Sequence, residues 1–221
     1  MKLYVSNKRE TPRMFDNGVM EFFSRTHWSV PLWFFVPIVI SFVALGVLRG
    51  SFTIPQHIGL LLAGLFIWTL TEYVLHRFVF HYEPRTDWGR KFHWMFHGVH
   101  HDYPSDPLRL VMVPSVSLPL GGLFFLLFYV ALGDPSVFPF SAGFFIGYLF
   151  YDITHYAVHH FPIKGKLFGT LRELHMRHHF QQPDRGFGVS SPMWDHVFRT
   201  SMLRERSRVS ESSNDELNAN S

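Results

Sequence analysis

The sequence contains no cysteine and comparatively few charged residues. None of its 221 residues is cysteine, which excludes disulfide bonds, thiolate metal sites and a cysteine nucleophile. Charged side chains make up only 17% of the chain, and no basic run accompanies a recognisable binding motif, so no nucleic-acid partner is predicted. Hydrophobic residues reach 47% and aromatic residues 18%, which is high for a soluble protein of this length.

Four apolar segments are long enough to cross a bilayer, which takes roughly 17–25 helical residues. They cover residues 31–48, 58–75, 110–132 and 140–158. Their uniformly apolar composition argues against the alternative, a large core of soluble helices, because such helices usually keep one polar face. The sequence therefore predicts an all-α integral membrane protein with four transmembrane helices.

The basic residues predict an orientation for these helices. Nearly all of the 20 Lys and Arg residues lie in the first 30 residues, between the second and third spans, or after the fourth span, and Arg49 is the exception. The positive-inside rule then places both termini in the cytosol. We expect a cytosolic or interfacial leader at 1–30, a membrane domain at 31–203 and a disordered tail at 204–221. A bacterial inner membrane and an endoplasmic reticulum membrane both remain open.

Histidine is unusually frequent, with 15 residues. Ten of them fall into four groups at the span ends that the charges assign to the cytosol. These groups are His76 and His81; His97, His100 and His101; His155 and His159; and His175, His178 and His179. The other five are interpreted as packed or surface residues, namely His27, His57, His93, His160 and His196.

The spacing of these histidines has a physical reason. On a helix, positions i, i+3 and i+4 share one face. In the HxxHH runs at 97–101 and 175–179, the first and last imidazoles could share one metal while the middle one reaches a neighbouring metal. Two facing runs would hold two metals reciprocally, and imidazole suits iron, zinc and copper. The sequence thus predicts a di-metal site within a cytosolic helical cap.

Two acidic residues are predicted to orient ligand imidazoles through the second ring nitrogen. Glu72 lies four residues before His76, and Asp152 lies three residues before His155. Both carboxylates fall near the end of an apolar span, where an uncompensated charge is costly. The alternative is a carboxylate that reaches out to the membrane interface.

Four stretches of sequence resemble one family closely. They are EYVLHRFVFHYEP at 72–84, FHGVHHDYPSDPLRLV at 96–111, GYLFYDITHYAVHH at 147–160 and FGVSSPMWDHVF at 187–198. Together they resemble the fatty acid 2-hydroxylase branch of the fatty acid hydroxylase superfamily, which also includes sterol desaturases. The resemblance covers roughly residues 58 to 200. One departure is Arg199, which stands where the family usually has glycine before threonine, so the local turn is in question.

The resemblance implies an oxidoreductase, a di-iron monooxygenase that uses O₂ to hydroxylate the alpha carbon of a long acyl chain in fatty acid or sphingolipid metabolism. It implies two iron ions, with zinc expected in purified protein, because zinc binds such ligands more tightly. About 30 polar N-terminal residues cannot form the haem domain of some relatives, so a separate redox protein is expected as electron donor. The implied ligands of one metal are His76, His81, His97, His101 and His178. Those of the other are His100, His155, His159, His175 and His179.

Trp194 and Asp195, with the loop at 187–192, are candidate substrate contacts, and packing beneath the site is the alternative. Three other functions remain open on the sequence alone. A desaturase or a sterol or carotenoid hydroxylase would use the same metals and give a different product. A zinc-dependent membrane hydrolase would need no oxygen. A metal transporter would place its ligands near the bilayer midplane rather than at span ends.

Overall fold

The structure is a computed structural model that describes residues 4–203. Within that range the chain forms α-helices and two π-helical segments, and it forms no β-strand. The α-helices are α1 (Gly18–Phe23), α2 (Val30–Arg49), α3 (Ile54–Val74), α4 (Asp87–His93), α5 (Val99–Asp102), α6 (Pro114–Leu132), α7 (Val137–His160), α8 (Phe168–Phe180) and α9 (Met193–Val197). The π-helical segments are Leu75–Phe80, which continues α3, and Trp94–Gly98, between α4 and α5. The tail predicted at 204–221 lies outside the described residues.

Four of these helices are long and apolar enough to cross a membrane, which confirms the predicted architecture. They are α2, α3 with its π-helical extension to Phe80, α6 and α7, with mean hydropathies of 2.4, 1.8, 2.0 and 1.3. The third begins at Pro114 rather than at residue 110. Proline has no amide hydrogen to leave unpaired in the first helical turn, so it favours that starting point.

Helix α7 lies at the centre of the bundle. Of its most apolar stretch 72% is buried, compared with 11% in α6. Close approach to α3 depends on glycine: a Cβ added to Gly143 would lie 1.8 Å from the carbonyl oxygen of Leu61, and one added to Gly64 would lie 1.9 Å from that of Phe140. Small residues let membrane helices pack backbone against backbone. The glycines therefore allow α3 and α7 to pack closely against each other.

A buried aromatic core joins three of the spans, α2, α3 and α7, to the loop before α9. Phe35 of α2, Trp68 of α3 and Phe144 and Tyr148 of α7 pack in one buried cluster, together with Val189 from the loop before α9. The Trp68 and Phe144 rings meet edge to face with centroids 5.1 Å apart, a favourable aromatic geometry. The loop that contains Val189 is thus anchored in the aromatic core of the helical bundle.

The N-terminal leader packs over the same end of the bundle, called here the histidine end. The amides of Val5 and Ser6 donate to the carbonyl of Asp102 at 2.9 and 3.0 Å, and the amide of Thr26 donates to that of Leu108 at 2.7 Å. These contacts hold the leader against the 102–109 segment. The helical bundle, the leader and the loops together enclose the ten histidines.

Candidate metal centre

All ten of the predicted ligand histidines meet at the histidine end in two groups of five. Within each group, one ring nitrogen from every residue lies within 4.8 Å of all the others. The first histidine group is His76, His81, His97, His101 and His178, and the second histidine group is His100, His155, His159, His175 and His179. This is the same division as the family resemblance implies.

The Nε2 atoms approach one another at distances that a shared metal ion would explain. His101 and His97 lie 3.0 Å apart at Nε2, His178 and His81 3.0 Å, and His175 and His159 2.9 Å. Two nitrogens that each lie 2.0–2.1 Å from one ion, at a right angle, are about 2.9 Å apart. Each group therefore has the size of a coordination sphere around one ion.

Each of the two HxxHH runs contributes histidines to both groups. His97 and His101 belong to the first group, whereas His100 between them points into the second. Likewise, His175 and His179 belong to the second group and His178 to the first. The rings of His101 and His179 stack with centroids 4.2 Å apart. This exchange places the two candidate sites side by side.

A π-helical segment brings the first two histidines together. In an α-helix five residues turn through about 500°, which would leave His76 and His81 roughly 140° apart. In the segment Leu75–Phe80 the wider helix instead ends with the amide of His81 bonded to the carbonyl of His76 at 3.1 Å, and their ring centroids lie 5.0 Å apart. Such π-helical insertions are frequent at functional sites.

Backbone carbonyls orient two of the imidazoles. Because a carbonyl oxygen only accepts, Nδ1 of His76 donates to Phe187 at 2.6 Å, and Nδ1 of His178 donates to Arg185 at 2.7 Å. The Nε2 atom of each ring therefore carries a lone pair. That of His76 is buried and has no hydrogen-bond partner within the described part of the chain. A cation is the partner that such an atom fits.

The charge state of the histidines also fits metal binding, because ligating imidazole is neutral. Burial lowers the pKa of His178 to about 4. Burial, with the neighbouring His178 and His101, lowers the pKa of His81 to about 2. These rings therefore present lone pairs rather than positive charges at neutral pH.

The predicted contacts of Glu72 and Asp152 with histidines are wrong. The Glu72 carboxylate instead accepts the amides of Val189 at 2.7 Å and Ser190 at 2.8 Å, and also the Ser190 hydroxyl. Asp152 accepts the Tyr148 hydroxyl at 3.1 Å, while Nδ1 of His155 has no partner among residues 4–203. Helical spacing did not reveal these donors, and those of Glu72 come from a loop far away in the sequence.

The predicted substrate contacts are also corrected. The Asp195 carboxylate is buried, and it accepts the amides of Phe187 and Gly188 at 2.9 and 2.8 Å. The indole of Trp194 donates to Thr69 at 3.0 Å. Neither residue lines the cavity that reaches the histidines. Both residues instead pack beneath the candidate site, which was the alternative interpretation.

The carbonyls of Phe187 and Arg185 are functional groups that sequence reasoning missed, since a backbone acceptor leaves no residue-type signal. The histidines interpreted as packed or surface residues lie outside both groups; His160, for example, packs on the Tyr156 ring at 4.3 Å between centroids. The questioned turn at Arg199 has φ 58°, a left-handed conformation that glycine adopts at lower cost.

A cavity of about 360 Å³ reaches the histidines. Its wall includes His97 of the first group and His100 and His155 of the second, so it borders both candidate sites. Most of the remaining wall is apolar and comes from the leader, the segment Trp94–Gly98 and the residues that lead into α6. A volume in this range suits a small molecule or part of a lipid chain.

Comparison with known proteins gives one family match. The model of the fatty acid hydroxylase family matches residues 61–200. Two curated relatives come from Arabidopsis thaliana. The dihydroceramide fatty acyl 2-hydroxylase FAH1 is 39% identical over 87% of this chain and 81% of its own length, and FAH2 is 40% identical over 86% and 80%.

A solved structure has the same fold. It is full-length scs7p, in which only the hydroxylase domain is visible. The similarity covers 86% of this chain and 71% of that one, with a TM-score of 0.80 and 32% sequence identity.

Proposed function

This chain belongs to the fatty acid hydroxylase family, and we propose that it is a fatty acid 2-hydroxylase of sphingolipid metabolism. Its substrate would be a long acyl chain, free or carried by a ceramide-type lipid. Its cofactor would be a pair of iron ions, one in each histidine group. The relatives' printed activities on fatty acyl and dihydroceramide substrates support this substrate class.

One observation carries the proposal: a largely apolar cavity borders both groups of five histidines. An acyl chain in this cavity would bring one of its carbons beside both candidate metal sites. The site lies at the ends of the membrane spans rather than at their middle, so the carbons next to a polar lipid head reach it most directly. This position favours hydroxylation at the 2-carbon.

The proposed reaction consumes the acyl chain, O₂, two electrons and two protons, and it gives the 2-hydroxy acyl chain and water. When bound, the iron pair supplies the oxygen activation that no side chain can perform. The two histidine groups would each hold one ion, and the carbonyls of Phe187 and Arg185 fix the orientation of His76 and His178. The apolar wall orients the chain and keeps water from the site.

Two further parts of the proposal concern the surroundings. A separate redox protein would deliver the electrons, with the histidine end as the side from which it approaches. The concentration of basic residues in the leader, the central segment and the C-terminal region supports a multi-pass protein with both termini in the cytosol. Residues 1–30 would then be an interfacial leader to the membrane domain at 31–203.

Lipid analysis tests the function directly. We expect expression in a host without 2-hydroxy lipids to yield 2-hydroxy acyl lipids, with no product when oxygen is removed. An acyl double bond or a ring alcohol as the product would instead indicate a desaturase or a sterol hydroxylase. Product formed without oxygen would indicate a hydrolase. Metal analysis alone does not decide, because zinc binds imidazole ligands more tightly than ferrous iron.

A further inference from the structure

The cavity runs from the protein surface to the buried histidines. At one end its wall is made by His100 and His155, whose exposed fractions are 4% and 2%. At the other end it is made by Met20, Phe23 and Phe96, which are 53%, 63% and 44% exposed. These three side chains therefore frame a mouth, and two of them belong to α1 in the leader.

Buried ionic contacts hold α1 at this mouth. The carboxylate of Glu21, in the middle of α1, accepts the amides of Met14 and Phe15 at 2.9 and 3.0 Å. It also accepts from the Arg109 guanidinium at 2.5 Å, and Arg109 donates to the carbonyl of Pro12 as well. Burial alone would raise the pKa of Glu21, but these amides, Arg25 and Arg109 lower it to about 2. The leader is thus fastened as a wall of the cavity.

Other exposed side chains beside the mouth are apolar, as expected for a surface that meets lipid. Val19 and Phe22, also on α1, are 66% and 73% exposed although both are apolar. Helix α1 ends only a few residues before the span α2 begins at Val30. A short helix with exposed aromatic side chains next to a span is typical of the boundary between headgroups and acyl chains. A hydrocarbon chain could pass from the bilayer through the mouth without crossing water.

We propose that Met20 and Phe23 are specificity-determining residues that contact the distal part of the acyl substrate where it leaves the cavity for the bilayer. This inference rests on the proposed function. With the 2-carbon beside the histidines, a short chain would end inside the cavity, whereas a long chain would extend past Phe23. Contacts at the mouth then favour long chains selectively.

The helix offers a matched control for this proposal. Phe23 lines the cavity, while its neighbour Phe22 has the same side chain and a similar exposure but does not. We expect Phe23→Ala to lower the ratio of long-chain to short-chain 2-hydroxy products, in a mixture of acyl substrates, by about fivefold, because a hydrophobic pocket discriminates between chains through the methylene groups that it covers. We expect Phe22→Ala to leave this ratio unchanged.

A second readout does not depend on turnover. A long fatty acid with a diazirine at its distal end should, on irradiation, label the wild-type peptide that contains Met20 and Phe23. An unchanged product ratio in both variants, an equal change in both, or labelling elsewhere in the chain would overturn the proposal. If α1 is labelled but the wild type makes no 2-hydroxy product, the contact between α1 and the acyl chain is supported and the proposed function is contradicted.

Discussion

Replacing Glu72 tests whether the candidate metal centre depends on a carboxylate that touches no histidine. Glu72 lies buried on α3 and accepts three hydrogen bonds, two from the amides of Val189 and Ser190 and one from the Ser190 hydroxyl. The same loop contains Phe187, whose carbonyl accepts the Nδ1 hydrogen of His76. Removing the carboxylate should therefore loosen the loop and, through it, one ligand of the first histidine group.

The size of the effect follows from the number of donors left unpaired. A hydrogen bond to a charged group contributes about 1.5–3 kcal/mol, and a buried donor left without a partner costs about 1–3 kcal/mol. The three bonds share one acceptor and are not additive, so we expect Glu72→Ala to destabilise the protein by about 4 kcal/mol. Glu72→Gln keeps a carbonyl oxygen for both amides and should cost about 1 kcal/mol.

Melting temperature and metal content measure this effect in detergent. For a protein of this size, about 4 kcal/mol corresponds to a fall of roughly 8–16 °C in the apparent Tm, and we expect metal bound per chain to fall with it. Glu83→Ala is the control, because Glu83 is an exposed carboxylate close by in the sequence. If Glu72→Ala behaved like Glu83→Ala, or if Glu72→Gln were as damaging as Glu72→Ala, the reasoning from acceptor geometry would be refuted.

Three other substitutions test the site, the packing and the leader. His178→Ala should abolish hydroxylation and lower the metal content of protein that still inserts in membranes, whereas His196→Ala, at an exposed position outside both groups, should do neither. Gly143→Ala should lower stability by about 3 kcal/mol through overpacking, and Gly122→Ala, which meets no neighbour, should not lower the Tm. Because the folded-state pKa of Glu21 is about 2, below its ordinary value of 4.5, its contribution to stability is complete above pH 4.5 and declines as the pH falls toward 2. The Tm difference between wild type and Glu21→Gln should therefore shrink over that range.

The spans and the histidine sets could be predicted because each has a signal along the sequence. A transmembrane helix needs a continuous apolar run, whatever its neighbours are. An HxxHH run places its histidines on one helical face before any tertiary contact forms. The prediction of four spans is therefore confirmed to within a few residues, and the ten histidines meet in two groups.

Contacts between distant segments could not be predicted in this way. Glu72 meets Ser190 across 118 positions of sequence, and no local pattern in a single sequence connects them. The π-helical turn at Leu75–Phe80 was also not predicted, although the five-residue spacing of His76 and His81 is a signal that an α-helix would not bring both rings to one site. Partner choice by a buried carboxylate is decided by tertiary packing, so the sequence indicated which carboxylates would be buried but not what they would bind.

The loop at 187–190 shows why acidic residues that touch no histidine still support the candidate metal centre. Four successive amides of this loop point into two buried carboxylates, those of Phe187 and Gly188 into Asp195 and those of Val189 and Ser190 into Glu72. With its amides held from α3 on one side and from α9 on the other, the loop has little freedom to move the Phe187 carbonyl away from His76. Gly188 is required because an added Cβ would lie 2.0 Å from a backbone oxygen. The FGVSSPMWD stretch therefore fixes the orientation of His76, one of the candidate metal ligands, through hydrogen bonds within the protein itself, as partners behind a ligand imidazole do.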